Sequence, residues 1–122
     1  MTDQLISFET AILAKEKGFN EPCYDTFMGD ASIKNISYHF NEPAYNTELL
    51  KCSYSAPTQS LLQRWLREIH KIHIVINYNI VNKTYLFCIL NLKQDEILSE
   101  QYLYFTYEET LEKALQEALE FI

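Results

Sequence analysis

Apolar residues fall into six patterned stretches, whose spacing predicts three helices and three strands in a definite order. Over residues 3–17, Leu5, Phe8 and Ile12, with Ile6 and Leu13 beside them, form one stripe. Glu9, Lys15, Glu16 and Lys17 lie mostly elsewhere on that helix. Gly18 stands where a left-handed residue ends a helix, with Phe19 expected to fold back on Leu13 or Ala14. From Pro57 to His70, Leu61, Leu62, Trp65, Leu66 and Ile69 share a second helical face. Pro57 suits a first turn, where its missing N–H has no helical partner. His70 and Lys71 close the last turn, where cations suit the helix dipole.

Strand alternation follows at once. Ile72, Ile74, Ile76 and Tyr78 alternate with His73, Val75 and Asn77 over 72–78. After a turn centred on Asn82 and Lys83, residues 84–92 are apolar on both faces. Leu86, Cys88 and Leu90 line one face, and Tyr85, Phe87 and Ile89 the other. A sheet with one wet face shows polar residues there, so this strand calls for a cover, either residues 19–56 or another subunit. A polar turn at 93–96 precedes a short third strand, 101–105, where Tyr102 and Tyr104 alternate with Leu103 and Phe105. Thr106 then caps the last helix, and Glu109 completes a capping box. Its buried stripe is Leu111, Ala114, Leu115, Ala118, Leu119 and Ile122, with Glu108, Glu112, Glu117 and Glu120 on the wet face.

The expected fold is therefore α+β, one domain over residues 1–122. Residues 1–55 supply a helix and an irregular aromatic segment. Residues 56–122 form a helix-strand-strand-strand-helix core around a three-stranded antiparallel sheet. A chain of 122 residues has room for one substantial core and is short for two. Residues 19–56 are rich in turn formers, and near 33–40 and 48–54 a short strand and a short helix fit equally well. They contain a near-repeat, Phe19-Asn-Glu-Pro-Cys-Tyr-Asp-Thr26 and Phe40-Asn-Glu-Pro-Ala-Tyr-Asn-Thr47, matching at six of eight positions. Two copies do not make a solenoid. They read as two similar turns or as paired recognition loops.

Charge divides the chain. Net charge is −7. Residues 1–56 hold four Lys against eight acids, 57–93 hold five basic residues against Glu68, and 94–122 hold Lys113 against eight acids. General polyanion binding is disfavoured, while the basic middle leaves a local site open. No run of about 18 apolar residues is present, so no membrane span is expected. The N-terminus lacks the basic start and apolar block of a signal peptide. Cys23, Cys52 and Cys88 are odd in number and scattered, and are expected as reduced thiols in a cytoplasmic protein.

By order of elements, residues 56–122 resemble the double-stranded-RNA-binding domain, whose three-stranded sheet carries two helices on one face. That family starts its last helix with a basic run that grips phosphates. Here Tyr107-Glu-Glu-Thr-Leu-Glu-Lys113 is acidic and repels them, so the resemblance implies the architecture and not the activity. A second resemblance rests on Pro57-Thr-Gln-Ser-Leu-Leu-Gln-Arg-Trp-Leu-Arg-Glu68, His70, residues 72–76, and Thr106-Tyr-Glu-Glu109 leading into Ala114-Leu-Gln-Glu-Ala-Leu119. These are similar to small proteins of gut bacteria and their phages over most of the chain. The likeness implies a compartment and no reaction.

Motifs for catalysis are absent: no phosphate-cradling glycine loop, no nucleophile elbow and no His-Glu-x-x-His. His70 and His73 span a helix end and a strand start, so a shared metal is not expected, and no cofactor is implied. Pairing of Cys23 or Cys52 with His39 has nothing to select it. Two readings of function remain. The first is a non-enzymatic protein-binding or self-associating module, with a protein partner or homodimer, anchored on Tyr24, Phe27, Tyr45, Tyr85 and Phe87. The alternative is nucleic-acid binding through Arg64, Arg67, Lys71 and Lys83.

Overall fold

The computed structural model describes residues 3–35, 43–103 and 106–122. The chain divides into two compact units, Met1–Thr58 and Gln59–Ile122, close to the sequence boundary at 55/56. The α+β class is present, with three helices and two antiparallel three-stranded sheets among the described residues.

In the first unit, helix α1 spans Phe8–Glu16 and so starts five residues later than the apolar stripe predicted. Ser7 is its N-cap, its hydroxyl accepting from the Thr10 N–H at 3.2 Å. The residues before it are extended. The Ile6 N–H donates to the Pro57 carbonyl at 3.0 Å, and Leu5 bridges Thr58. The buried line of α1 is Thr10, Ala11 and Ala14, which carries little apolar signal. Its C-terminus is as expected. Gly18 has φ +94, the Phe19 N–H reaches the Ala14 carbonyl, and the Gly18 N–H reaches that of Lys15. Phe19 is thereby delivered into the core.

Three short strands follow in the order β2-β1-β3: β1 (Asp25–Phe27), β2 (Ile33–Asn35) and β3 (Tyr54–Ser55). A one-turn 3-10 helix, Asn46–Glu48, lies between β2 and β3. Phe8 packs edge-on against Phe27 and Tyr54, at 5.5 and 5.8 Å between ring centroids. The Lys15 ammonium ties α1 to the following loop. It donates to the Leu50 and Ser53 carbonyls at 3.1 and 2.7 Å and lies over the Tyr54 ring.

The second unit runs α2 (Gln59–Ile69), β4 (Ile72–Asn79), β5 (Thr84–Asn91), β6 (Glu96–Leu103) and α3 (Tyr107–Leu119), with sheet order β4-β5-β6. Both helices contact the sheet and each other. Helix α2 begins two residues after Pro57, because the Pro57 carbonyl and Thr58 are engaged with the segment around Leu5. Leu62, Trp65 and Leu66 are buried as expected, but Ile69 is exposed. Gln59 is buried in addition, donating to the Glu108 carbonyl and the Glu112 carboxylate at 2.9 and 3.0 Å. Glu112 is thus a partner of α2 rather than a wet-face residue. Glu117 likewise accepts from Ser99. Thr106 caps α3, accepting from the Glu109 N–H at 3.1 Å.

The two faces of β5 fall as the alternation predicted. Phe87 and Ile89 are fully buried, while Leu86, Cys88 and Leu90 are half-buried on the other face. Strand β6 starts at Glu96, five residues before the expected 101, and residues 104–105 lie outside the described set. A register shift pairs Ile89 with Ser99 but Leu90 with Ile97, leaving Leu98 as the extra residue of a bulge. The bulge reverses the parity and turns Ile97 outward, where it is largely exposed.

Candidate functional site

The basic residues do not form one cluster. Arg64 is exposed and Arg67 half-buried on α2. Lys71 follows at φ +58, its ammonium donating to the Glu68 carbonyl at 3.0 Å. Lys83 sits at the far end of the β4–β5 hairpin, where Asn79 pairs with Thr84. Seven residue steps of strand, at roughly 3.3 Å each, put Lys83 about 23 Å from Lys71. Lys71, at the junction of α2 and β4, is therefore separated from Lys83 by the length of the hairpin.

The aromatic candidates divide differently. Phe27 and Phe87 are core residues, one against Phe8 and the other beneath the helices, so neither is available as a surface anchor. Tyr24 and Tyr45 are 51% and 42% exposed. Tyr85 is half-buried between Tyr78, at 4.9 Å, and Tyr107, at 6.0 Å between centroids.

This tyrosine row leads to an apolar tip that the sequence reading passed over. Both hairpins of the sheet use one turn design. In the first, Asn79 Oδ1 accepts from the Val81 and Asn82 N–H groups, and Lys83 takes a left-handed φ of +56. In the second, Asn91 Oδ1 accepts from the Lys93 and Gln94 N–H groups, and Asp95 has φ +51. An Asn that bonds two residues on is a turn former in its own right. Counted from the capping Asn, Lys93 stands where Val81 does and Gln94 where Asn82 does, while Leu92, 42% exposed, matches Ile80. In the first loop Ile80 and Val81 are 80% and 88% exposed. Turn geometry does not require the apolar Val81, since a lysine fills the same place in the second loop. The pairing of Asn79 with Asn91, each heading a four-residue loop, is the sequence signal that would have located this tip.

The near-repeat is also a structural pair. Cys23 and Ala44 occupy the same place in the two copies and exchange both backbone hydrogen bonds, each at 2.9 Å. The first copy and the described part of the second, residues 43–47, therefore run antiparallel about a local two-fold axis. Asn20 Oδ1 accepts from the Thr47 N–H at 3.0 Å, extending the match outward. Asn46 is buried, donating to the Phe19 carbonyl and accepting from the Ser55 N–H, both at 2.8 Å. Cys23 points inward, and its neighbours on either side point out. Pro22, Tyr24, Pro43 and Tyr45 thus share the outer face of the pair, the first, second and fourth exposed and Pro43 half-buried.

Nucleophilic chemistry finds little support in these surroundings. Burial, reinforced by Glu21 and Asp25, pushes the Cys23 thiol up to about 12, so it carries almost no thiolate near neutrality. Burial and Glu100 also raise Cys88. His39 lies outside the described residues. Burial against Trp65, whose ring meets that of His70 edge-on at 4.6 Å, lowers the His70 pKa. No group of His, Cys, Asp and Glu able to hold a metal occurs among the described residues. None of their helices is long and apolar enough to cross a membrane. An open cleft of about 290 Å³ beside α3 is lined by Gln101, Lys113, Gln116, Glu117 and Glu120 and is wholly polar in its side chains. No protein-family model matches the chain, and no curated protein or solved structure matches it.

Proposed function

We propose that the chain is a non-enzymatic protein-binding module, an accessory protein of a bacterium or phage acting in the cytoplasm. It engages its partner through the end of the β4–β5 hairpin. The observation that carries this reading is the exposure of Ile80 and Val81 at a hydrogen-bonded tip, where the sister loop has the less exposed Leu92 and a lysine, Lys93, at the matching places. Tyr78, Tyr85 and Tyr107 extend that tip into an aromatic surface. Large aromatic and aliphatic groups concentrate interface energy, whereas a solvated turn gains nothing from them. A second copy of the chain is one candidate partner.

The test places a photo-crosslinking amino acid at position 81, and separately at the matching position 93 of the sister loop, in cells that make the protein. A discrete adduct from 81 and none from 93 is the expected result, and a mass of twice the chain identifies self-association. The same background adducts from both positions, or none from either, would overturn the reading. The nucleic-acid alternative gains no observation here, since Lys83 stands apart from Lys71, and Glu108 and Glu109 open α3.

A further inference from the structure

We infer that the outer face of the paired repeat, built from Pro22, Tyr24, Pro43 and Tyr45, binds a basic proline-rich segment in the polyproline II conformation. This does not rest on the hairpin tip, which lies in the other unit.

The first support is what the two copies share. Position five differs, Cys23 against Ala44, and it is the inward position of Cys23. The outward Pro and Tyr are the same in both. Core packing does not ask for an exposed Tyr, so the identity of these residues serves the outer face. The second support is spacing. Tyr24 lies opposite Pro43, and Tyr45 opposite Pro22, which makes the tyrosines diagonal neighbours about 8 Å apart across an antiparallel pair. A polyproline II helix advances about 9 Å per three-residue turn. Successive turns of such a ligand therefore meet successive tyrosines. Its backbone carbonyls project outward without internal partners, within reach of the phenol hydroxyls. Pro22 and Pro43 add stiff apolar surface between the rings.

Charge selects a cationic version of that ligand. Residues 1–58 hold four Lys against eight acids. The exposed Glu48 accepts from the Tyr45 N–H at 2.9 Å, which fixes a carboxylate beside one tyrosine. The first copy has Phe27 at the matching place. The local two-fold alone would accept a ligand in either direction. Glu48 breaks the tie by drawing a Lys or Arg to the Tyr45 end.

The test titrates the full chain into a fluorescein-labelled peptide of two arginines followed by ten prolines. The control is a peptide of equal length and charge built from Gly and Ser. Saturable binding of the proline peptide, at least tenfold tighter than the control, is expected. Tyr24→Ala and Tyr45→Ala should each weaken it about tenfold, the scale of a truncated aromatic anchor. Glu48→Gln keeps the Tyr45 N–H bond and should cost two- to fivefold, as for an exposed charge pair of about 0.5–1 kcal/mol. Ring proton shifts of Tyr24 and Tyr45 in the unaltered chain give a second readout that survives any misfolding of the variants. Equal binding of both peptides would reduce the effect to bulk charge and overturn the inference. So would no binding of the proline peptide, or unmoved Tyr24 and Tyr45 ring signals.

Discussion

Asn46 offers the sharpest test of how the first unit is held together. Its side chain is buried and spans two backbone groups far apart in sequence, the Phe19 carbonyl and the Ser55 N–H, each at 2.8 Å. In Asn46→Ala both groups lose their partner. An orphaned buried polar group costs about 1–3 kcal/mol, so the expected destabilisation is about 2–5 kcal/mol, with water entry into the vacated space lowering it. Because the chain has two units, the assay is residue-resolved hydrogen exchange rather than a single melting curve. The Ser55 amide should exchange at least tenfold faster in the variant, at about 1.4 kcal/mol per decade, while amides of β5 keep their protection. Asn46→Asp separates the two bonds. Its carboxylate still accepts from Ser55 but faces the Phe19 carbonyl oxygen, which disfavours the charged form and raises the folded-state pKa. That variant binds more protons folded than unfolded, so it gains stability as pH falls through the folded pKa toward about 3.9, and loses that gain as pH rises through the folded pKa. Unchanged Ser55 protection in the alanine variant would refute the account.

Three further outcomes follow from other sites. Native protein treated with a thiol reagent at pH 8 should label Cys52 fast, with Cys23 and Cys88 slow, as read by peptide mass spectrometry. Equal rates at Cys23 would contradict its burial. Lowered below its ordinary 6.5, His70 binds fewer protons folded than unfolded, so its contribution is present above pH 6.5 and lost as pH falls through the folded pKa. Urea titrations read by the single Trp, Trp65, should show that acid loss, and His70→Gln should flatten it. Lys15→Met removes two donations to backbone carbonyls and the contact with Tyr54, and should destabilise the first unit by about 1–2 kcal/mol by hydrogen exchange at Ser53 and Tyr54.

The elements that were legible in the sequence are those whose signal is local and redundant. Helix α3 has a Thr cap, a clean apolar period and acids in its first turn, three signals that agree. Strands β4 and β5 alternate without interruption, so their faces followed from counting. Helix α1 misled because Leu5 and Ile6 continue a helical spacing while lying in an extended bridge. Its true start is marked only by the Ser7 hydroxyl, and its buried line is small and polar. Strand β6 misled for a different reason. Leu98 is inserted into the register, and one extra residue reverses which side every residue before it occupies.

The surfaces proposed for recognition were hidden for reasons of dimension rather than of signal strength. Ile80 and Val81 fall between the strand expected over 72–78 and the turn expected at Asn82 and Lys83, where the apolar pattern gives them no role. The Asn79 bonds show that the chain has already turned there. The near-repeat was visible residue for residue, yet identity along the chain does not say that the copies face each other. Their reciprocal bonds at Cys23 and Ala44 supply that fact, and it changes what the tyrosines can do. Two similar turns in separate places would offer two weak contacts. Two copies held about a local two-fold offer one surface with a fixed spacing, so a ligand loses little freedom in meeting the second tyrosine after the first. That coupling makes the single variants informative: if the tyrosines act together, Tyr24→Ala and Tyr45→Ala each remove most of the binding, and the double variant removes little more.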